Sequence, residues 1–357
     1  MNASLVNGMS QFKGSLRVDS DMHNNEQKTL VSVIVPSRQE VAYIGNCLKA
    51  LIRQTYGLEN LEIIVVDGMS ADGTREIIAE YARLHKEIKL FDNKLKTTPI
   101  AMNIGIKQAK GTYIARVDAH TKPSDNFIEQ CVKVINSTDA EVVGGPIETI
   151  GEGFWGKQIA YVLSSVFGVG QSFRTMDSCS GYVDTLAFGL YKREVLEKAG
   201  PHDEKLTRGQ DWDINQRIIA NGGRIYLDSS IRSVWYCANN PIKFIIKSFL
   251  DGYWIAAIFE KRSFRHLAPF FYLLSFVGLA LVCYWRRHGL GPWRYVYFPF
   301  WSYALLYVMV AFFYSLGMAK RTGWHAVIVG PFLYASFHFS RGLGTLYGLL
   351  SGMWLKY

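Results

Sequence analysis

The sequence predicts an α/β domain with a mostly parallel sheet flanked by helices, followed by C-terminal transmembrane helices. Three observations support this fold class. Short β-branched segments alternate with helical patterns between residues 30 and 120, which is typical of βαβ units. Acidic residues follow two of these segments, at the sheet edge where α/β domains bind ligands. Three long stretches near the C-terminus contain no Asp, Glu, Lys or Arg.

The alternation defines the first half of the domain. Short apolar runs predict strands at 30–36, 61–67, 88–91 and 112–117. Apolar residues at helical spacing predict helices after the first two strands, and Pro99 suits the first turn of a third helix. This order predicts parallel pairing, because each pair of strands is joined by a helical crossover.

The second half is less regular. We predict a strand and turn at 141–146 and a glycine-punctuated loop at 167–174 that is able to fold over a substrate. An apolar run at 186–191 precedes a helix that ends at Gly200. A further helix opens near Arg208.

Charge and cysteine content limit the classes of function. Residues 241–357 carry 12 Lys or Arg and 2 Asp or Glu, whereas the rest of the chain carries 27 and 28. The basic excess therefore lies in the hydrophobic region, which favours an anionic membrane surface and argues against nucleic acid as a partner. The five cysteines are scattered and form no C-x-x-C, which indicates reduced thiols rather than a disulfide or zinc framework.

Two potential metal ligands follow the fourth strand. Asp118 offers a hard oxygen, and His120 offers a nitrogen that Mn²⁺ accepts better than Mg²⁺. An isolated D-x-H is more often a capping acid beside a solvated histidine. Asp67 ends the second strand in the same way, and helix capping would also explain it. The neighbouring motifs favour a site.

Several motifs in order carry a family resemblance. They are Pro-Ser-Arg-Gln-Glu at 36–40, Asp-Gly-Met-Ser-Ala-Asp-Gly-Thr at 67–74, Asn103 in 101–105, and Arg-Val-Asp-Ala-His at 116–120. This set resembles the nucleotide-binding half of the family 2 glycosyltransferases, which have the GT-A fold. The family usually has Asn-Glu-Glu near the first proline and D-x-D where this chain has D-x-H.

A narrower resemblance covers about residues 31–253. With Val-Gly-Gly-Pro, Val-Asp-Thr and Gln-Asp-Trp-Asp-Ile-Asn added, the chain resembles the succinoglycan-type exopolysaccharide glycosyltransferases of bacteria, in which D-x-H is the normal form. The resemblance implies a nucleotide-sugar donor and a divalent cation, Mn²⁺ or Mg²⁺. It also implies a glycan or lipid-linked acceptor, with other polysaccharide-assembly enzymes as potential partners.

The resemblance also assigns roles to the donor-site residues. Asp67 would hold the base, and Pro36 and Glu40 would line the base and ribose pocket. Asp118 and His120 would reach the diphosphate through the cation, which neutralises charge on the leaving group.

The acceptor side depends on the helix near residue 210. By the family match Asp211 is the general base, with Gln210 and Asp213 as supporting residues, although acids at a helix N-terminus are also explained by capping. Arg174, in the predicted loop, and Asp184 are candidates for acceptor contact. For Asp184 a structural hydrogen bond is an equally good explanation.

We divide the chain into four regions. Residues 1–28 form a polar, flexible tail, 29–240 the GT-A domain, 241–267 a basic amphipathic membrane-facing segment, and 268–357 the transmembrane region. The expected spans are 268–285, 295–319 and 322–340. Seven basic residues would lie on the side of the catalytic domain and five opposite, which favours a cytoplasmic catalytic domain. The opposite group is Arg286, Arg287, Arg294, Arg341 and Lys356.

The implied function is an inner-membrane, inverting glycosyltransferase of polysaccharide biosynthesis. One alternative is a polyprenyl-phosphate sugar transferase, whose acceptor phosphate needs no strong base. Another is a non-catalytic nucleotide-sugar-binding subunit of an export complex. A processive synthase is disfavoured, because the sequence contains no Q-x-x-R-W after the predicted base.

Overall fold

The computed structural model describes residues 28–170, 172–176, 179–257, 264–287 and 297–352. The predicted tail lies outside the described residues apart from Lys28, as do residues 258–263 and 288–296 of the C-terminal region. All five cysteines are free thiols; the sequence suggested that they are buried, which holds for Cys47, Cys131 and Cys237, whereas Cys179 is exposed and Cys283 is half-buried.

The described chain forms two sheets. The strands are β1 Val31–Ser37, β2 Leu61–Asp67, β3 Ile88–Asp92, β4 Tyr113–Arg116, β5 Thr121–Pro123, β6 Val142–Gly144, β7 Ile147–Ile150, β8 Gly181–Tyr182, β9 Gly189–Lys192, β10 Ile225–Leu227 and β11 Ser233–Tyr236. The large sheet has the order β3-β2-β1-β4-β9-β6-β10-β8, and the small sheet has the order β5-β11-β7.

Helices cover the large sheet and continue beyond it. They are α1 Ile44–Ile52, α2 Thr74–Leu84, α3 Thr98–Gln108, α4 Phe127–Ser137, α5 Gly153–Leu163, α6 Val166–Val169, α7 Arg193–Ala199, α8 Gln210–Ala220, α9 Pro241–Ala257, α10 Phe264–Arg287, α11 Tyr297–Thr322 and α12 Ala326–Leu350. A short 3₁₀ turn, Leu58–Asn60, precedes β2. The α/β fold class with C-terminal apolar helices is confirmed.

The first four strands of the large sheet are parallel, as the sequence predicts. Both faces of β1 and β2 are buried: Val33 and Val35 pack into one core, whereas Ile34 packs into the core on the other face. This burial explains why these strands are continuously apolar rather than alternating. The sheet as a whole is mixed, because β9 runs antiparallel to both β4 and β6.

The small sheet positions residues that lie far apart in the chain. Strand β11 pairs antiparallel with β5 and parallel with β7. Because β5 directly follows the predicted metal-binding loop, this pairing brings Trp235 of β11 beside His120, with ring centroids 5.7 Å apart. On the other side of β11, Trp235 pairs in register with Thr149 of β7.

Two of the described C-terminal helices qualify by length and composition as candidate membrane spans. They are His266–Trp285 within α10 and Phe298–Thr322 within α11. Only 6% and 17% of their most apolar windows are buried, whereas the core helix of a soluble protein would be mostly covered.

The structure differs from the prediction at the third span, which we expected at residues 322–340. Residues 326–350 form one helix, α12, which is not among the candidate spans of the described chain. Its inner face packs against the catalytic domain: Tyr334 donates a 2.9 Å hydrogen bond to Ser165, and Phe337 stacks on Phe244 of α9. The low charge of this segment is therefore explained at least in part by burial against protein.

The packing of α12 on α9 also corrects the sequence-based placement of Arg341. The two helices approach so closely that a Cβ added at Gly252 would lie 2.0 Å from the Arg341 carbonyl oxygen. Small residues permit this approach. Arg341 lines a cavity together with Arg174 of the catalytic domain, so the structure places it next to that domain and not away from it as the sequence suggested.

Candidate active site

Four of the predicted donor-site residues line one polar cavity of about 170 Å³ at the carboxyl edge of β1 and β4. These residues are Pro36, Glu40, Asp118 and His120. They meet because β1 and β4 are adjacent parallel strands whose carboxyl ends lie at the same edge of the sheet. The cavity thus combines a proline, two acids and an imidazole from separate motifs.

A buried arginine joins the predicted metal site to the predicted base. Arg116, the last residue of β4, is only 4% exposed. Its Nε donates a 3.0 Å hydrogen bond to Asp118 Oδ1, and its Nη1 pairs with Asp211 Oδ1. Strand β4 and helix α8 therefore place Asp118 and Asp211 on the same guanidinium, although 93 positions separate them in the sequence.

The donor set of this loop fits a divalent cation. His120 Nδ1 is a buried atom that lies 3.0 Å from Glu40 Oε1, and it forms no hydrogen bond with any residue that the structure describes. The Asp118 carboxylate lines the same cavity. No cluster of three His, Cys, Asp or Glu side chains able to hold a metal occurs in the described chain. Two protein ligands completed by substrate phosphates would suit Mn²⁺ or Mg²⁺.

Asp67 lies at the same sheet edge but does not line the cavity. It ends β2 in register with Ser37 of β1. Its carboxylate is fully buried, accepts hydrogen bonds from the backbone and hydroxyl of Ser70, and pairs with Arg75 at 3.0 Å. These contacts shape the loop that follows β2. Its role toward a nucleotide base stays a prediction.

The supporting residues of α8 are divided between two environments. Gln210 is the half-buried first residue of the helix. Asp213 is buried and forms an ion pair with Arg217 one turn later, at 3.0 Å. That contact stabilises the helix, as expected for an i,i+4 pair.

Arg174 is surrounded by aromatic rings. Its guanidinium lies 4.3 Å from the centroid of Trp235 and 5.4 Å from that of Phe173, and Nη1 donates a 2.8 Å hydrogen bond to Thr149. Burial lowers the pKa of Arg174 to about 10, so the group keeps its charge at neutral pH. The predicted loop at 167–174 is partly helical, because α6 ends at Val169.

Asp184, the other acceptor candidate, is fixed through its backbone. Gln216 of α8 donates a 2.8 Å hydrogen bond to the Asp184 carbonyl oxygen. This bond ties the segment before β9 to the helix that carries Asp211. A role of the Asp184 carboxylate in acceptor binding stays a prediction.

Asn103, which belongs to the motif set, has a structural role here. Its amide oxygen accepts a 2.8 Å hydrogen bond from the His202 backbone N–H, and its amide nitrogen donates a 3.0 Å bond to the His202 carbonyl oxygen. This reciprocal pair fastens α3 to the segment before α8. Burial, together with the charge of Arg116, lowers the pKa of His202 to about 3, so this imidazole is neutral at physiological pH.

Sequence reasoning gave no role to the cations of the site. Arg38 and Lys96 line the donor cavity, and Arg116 pairs with Asp118 of its lining and with Asp211. Arg116 carried a weak signal, because a charged residue interrupts an otherwise apolar strand two positions before a predicted ligand. Lys96 carried none, since only the fold brings the turn after β3 to the end of β1.

Comparison with known proteins shows which family the chain resembles. Residues 32–200 match the family described as Glycosyl transferase family 2. A transferase of Methanococcus voltae, named dolichyl N-acetyl-alpha-D-glucosaminyl phosphate 3-beta-D-2,3-diacetamido-2,3-dideoxy-beta-D-glucuronosyltransferase, is 26% identical over 335 residues, which cover 90% of this chain and 98% of that protein. The succinoglycan biosynthesis protein ExoA of Rhizobium meliloti is 25% identical over 206 residues, covering 57% of this chain and 62% of ExoA.

A solved structure supports the same fold. The mannosyltransferase PcManGT of Pyrobaculum calidifontis, in complex with GDP-Man and Mn²⁺, matches with a TM-score of 0.59 and 17% identity, over 90% of this chain and 88% of that one. Over residues 32–200 the chain is similar to the family 2 glycosyltransferases, and it has the GT-A fold. It is a glycosyltransferase, as its sequence motifs indicated.

Proposed function

We propose that this protein is a membrane-anchored, inverting glycosyltransferase. It transfers a sugar from a nucleotide-sugar donor to a hydroxyl of a lipid-linked acceptor in glycan or polysaccharide biosynthesis. The observation that carries the proposal is the shared guanidinium of Arg116, which holds Asp118 and Asp211 side by side. A carboxylate at the donor phosphate and a carboxylate at the acceptor hydroxyl are the two groups that such a transfer needs.

The donor would occupy the polar cavity of about 170 Å³. Pro36 and Glu40 would line its nucleoside part, and Asp67 would act on the base. Asp118 and His120 would hold Mn²⁺ or Mg²⁺ at the diphosphate. A cation held there would neutralise the charge that develops on the leaving nucleoside diphosphate.

Asp211 would act as the general base. It removes the proton from the acceptor hydroxyl while that oxygen attacks the anomeric carbon, and the carbon–phosphate oxygen bond breaks on the opposite face. The result is inversion in one displacement. Arg116 would position the Asp211 carboxylate, because their ion pair fixes the first turn of α8 against the end of β4.

Three observations support membrane anchoring. Helices α10 and α11 contain candidate spans that the protein leaves largely uncovered. The basic excess of the chain lies in the same region. The name of the Methanococcus voltae relative includes a dolichyl phosphate-linked sugar, which supports a lipid-linked acceptor for this chain. Free thiols suit a reducing compartment, and nucleotide-sugar donors are supplied in the cytosol. For these reasons we place the catalytic domain on the cytoplasmic side of the inner membrane.

The substitution Asp211→Asn tests this proposal. It removes the basic oxygen while keeping side-chain size, so we expect kcat to fall about 10²–10⁴-fold with donor Kd unchanged. The measurement is nucleoside diphosphate release by the full chain in detergent, against a panel of nucleotide sugars. Asp125→Asn, which removes an exposed acid paired with Arg53, is the matched control and should keep wild-type kcat.

The same experiment separates the alternatives. An acceptor phosphate is already ionised at neutral pH, so a polyprenyl-phosphate sugar transferase would lose far less activity with Asp211→Asn. A binding subunit would bind donor and show no turnover in either form. Wild-type kcat in the variant would exclude Asp211 as the base.

A further inference from the structure

A second cavity, of about 450 Å³, lies where the catalytic domain meets the C-terminal helices. We call it the interfacial cavity. Its walls come from residues 166–170 and 172–174, from the start of α10, and from α11 and α12. Its volume is in the range of small-molecule sites. It is separate from the donor cavity, because the two share no lining residue.

The interfacial cavity is cationic. Arg174 and Arg341 line it, and none of its described lining residues is Asp or Glu. Neither guanidinium forms a salt bridge with a carboxylate in the part of the chain that the structure describes. Arg341 Nε is buried and has no hydrogen-bond partner among the described residues. Two such groups favour an anionic ligand with several acceptor oxygens.

The remaining wall suits an apolar chain. Tyr272 of α10 and Tyr307 of α11 line the cavity and stack with centroids 4.7 Å apart. Both residues belong to candidate membrane spans. The apolar tail of a ligand that extends from the cavity between these helices would therefore enter the hydrocarbon phase. This burial stabilises the bound ligand in proportion to the apolar area removed from water.

Helix α8 connects this cavity to the predicted base. Thr185 lines the cavity and accepts a 3.0 Å hydrogen bond from Asn215, one turn after Asp211. Trp212, which follows Asp211 directly, packs edge-on against His266 of the cavity wall, with centroids 4.5 Å apart. A ligand in the cavity would thus lie next to the start of α8, where the acceptor hydroxyl has to arrive.

We infer that the interfacial cavity binds the phosphate and the first isoprenoid units of a polyisoprenyl phosphate-linked acceptor. Arg174 and Arg341 bind the phosphate oxygens, and the tyrosine-lined wall guides the isoprenoid into the membrane. The inference rests on the proposed function for its link to sugar transfer. Its binding step can be measured without turnover.

The test uses the full chain in detergent and a long-chain polyisoprenyl phosphate as the probe. We expect Arg174→Gln and Arg341→Gln each to weaken binding of this probe by about tenfold or more, because each loses a charge-assisted contact. The polyisoprenol of equal length should bind the wild type weakly and be insensitive to both substitutions. Arg83→Gln, on the exposed last turn of α2, is the matched control and should bind the probe normally.

Two further arms identify the ligand. Arg174→Lys keeps the charge and should bind the probe better than Arg174→Gln does, which separates charge recognition from misfolding. Phosphatidylglycerol and inorganic phosphate should compete poorly with the probe. The inference is overturned if the phosphate and the alcohol bind equally, if both glutamine variants keep wild-type affinity, or if phosphatidylglycerol competes as well as the probe. Absence of sugar transfer with normal probe binding would instead contradict the proposed function alone.

Discussion

The donor cavity and the interfacial cavity are built in opposite ways. The donor cavity is small and polar, and its predicted residues come from the ends of neighbouring strands in one sheet. The interfacial cavity is larger and mostly apolar, and its two arginines are 167 positions apart in the sequence. One helix, α8, extends between them.

This difference explains why the two cavities depend on different parts of the fold. The donor cavity needs the parallel arrangement of β1 to β4, which the alternation of strands and helices in the sequence already predicts. The interfacial cavity needs α12 to pack on α9 and on the catalytic domain. Conditions that disrupt one cavity should therefore leave ligand binding at the other cavity measurable.

The largest expected effect is the loss of turnover on metal removal. EDTA should abolish sugar transfer, because Asp118 and His120 alone do not neutralise a diphosphate leaving group, and Mn²⁺ or Mg²⁺ should restore it. Binding of the polyisoprenyl phosphate should be unchanged by EDTA, since no predicted metal ligand lines the interfacial cavity. Full activity of a metal-free preparation would contradict the assignment of both ligands.

The next effect concerns the packing of α9 on α12. A Cβ at Gly344 would lie 2.0 Å from the Phe249 carbonyl oxygen, so Gly344→Ala should destabilise this contact by about 1–3 kcal/mol and weaken probe binding. Gly278→Ala in α10 is the matched control, because no atom lies within 4 Å of an added Cβ. Thermal unfolding in detergent measures both. Equal melting temperatures for the two variants would show that this helix contact does not hold the interface.

The smallest effect should come from the rim of the donor cavity. Lys96 is exposed at the cavity edge, so Lys96→Gln should raise donor KM by about threefold to tenfold while acceptor KM stays constant. Lys94→Gln removes an equally exposed charge from the same turn, outside the cavity lining, and serves as the control. If both substitutions change donor KM equally, the effect is one of net charge and Lys96 has no specific role.

The donor side was largely predictable from sequence. Strands predicted at 61–67 and 112–117 lie at Leu61–Asp67 and Tyr113–Arg116. Because the carboxyl ends of parallel strands share an edge, the motifs that follow β1 and β4 had to meet there. The resemblance to the family 2 glycosyltransferases and the transferase class followed from the same motifs.

The acceptor side was not predictable in the same way. The reversed strand β9 and the small sheet are short elements whose pairing depends on distant partners, and short strands carry little periodic signal. The low charge of α12 indicated a membrane span, although much of its apolar surface is buried by protein. A high hydropathy indicates that a segment is removed from water, but it does not distinguish burial in protein from burial in lipid.

By itself, the sequence determined the α/β alternation, the donor-site motifs and the apolar character of the C-terminal region, because these depend on local periodicity and on residues close together in the chain. Only the tertiary structure decided that Arg116 joins Asp118 to Asp211 and that Arg174 and Arg341 face one cavity. Such contacts depend on long-range packing. Long-range packing cannot be inferred from a single sequence, because the energy of a buried ion pair or a helix contact depends on both residues that form it.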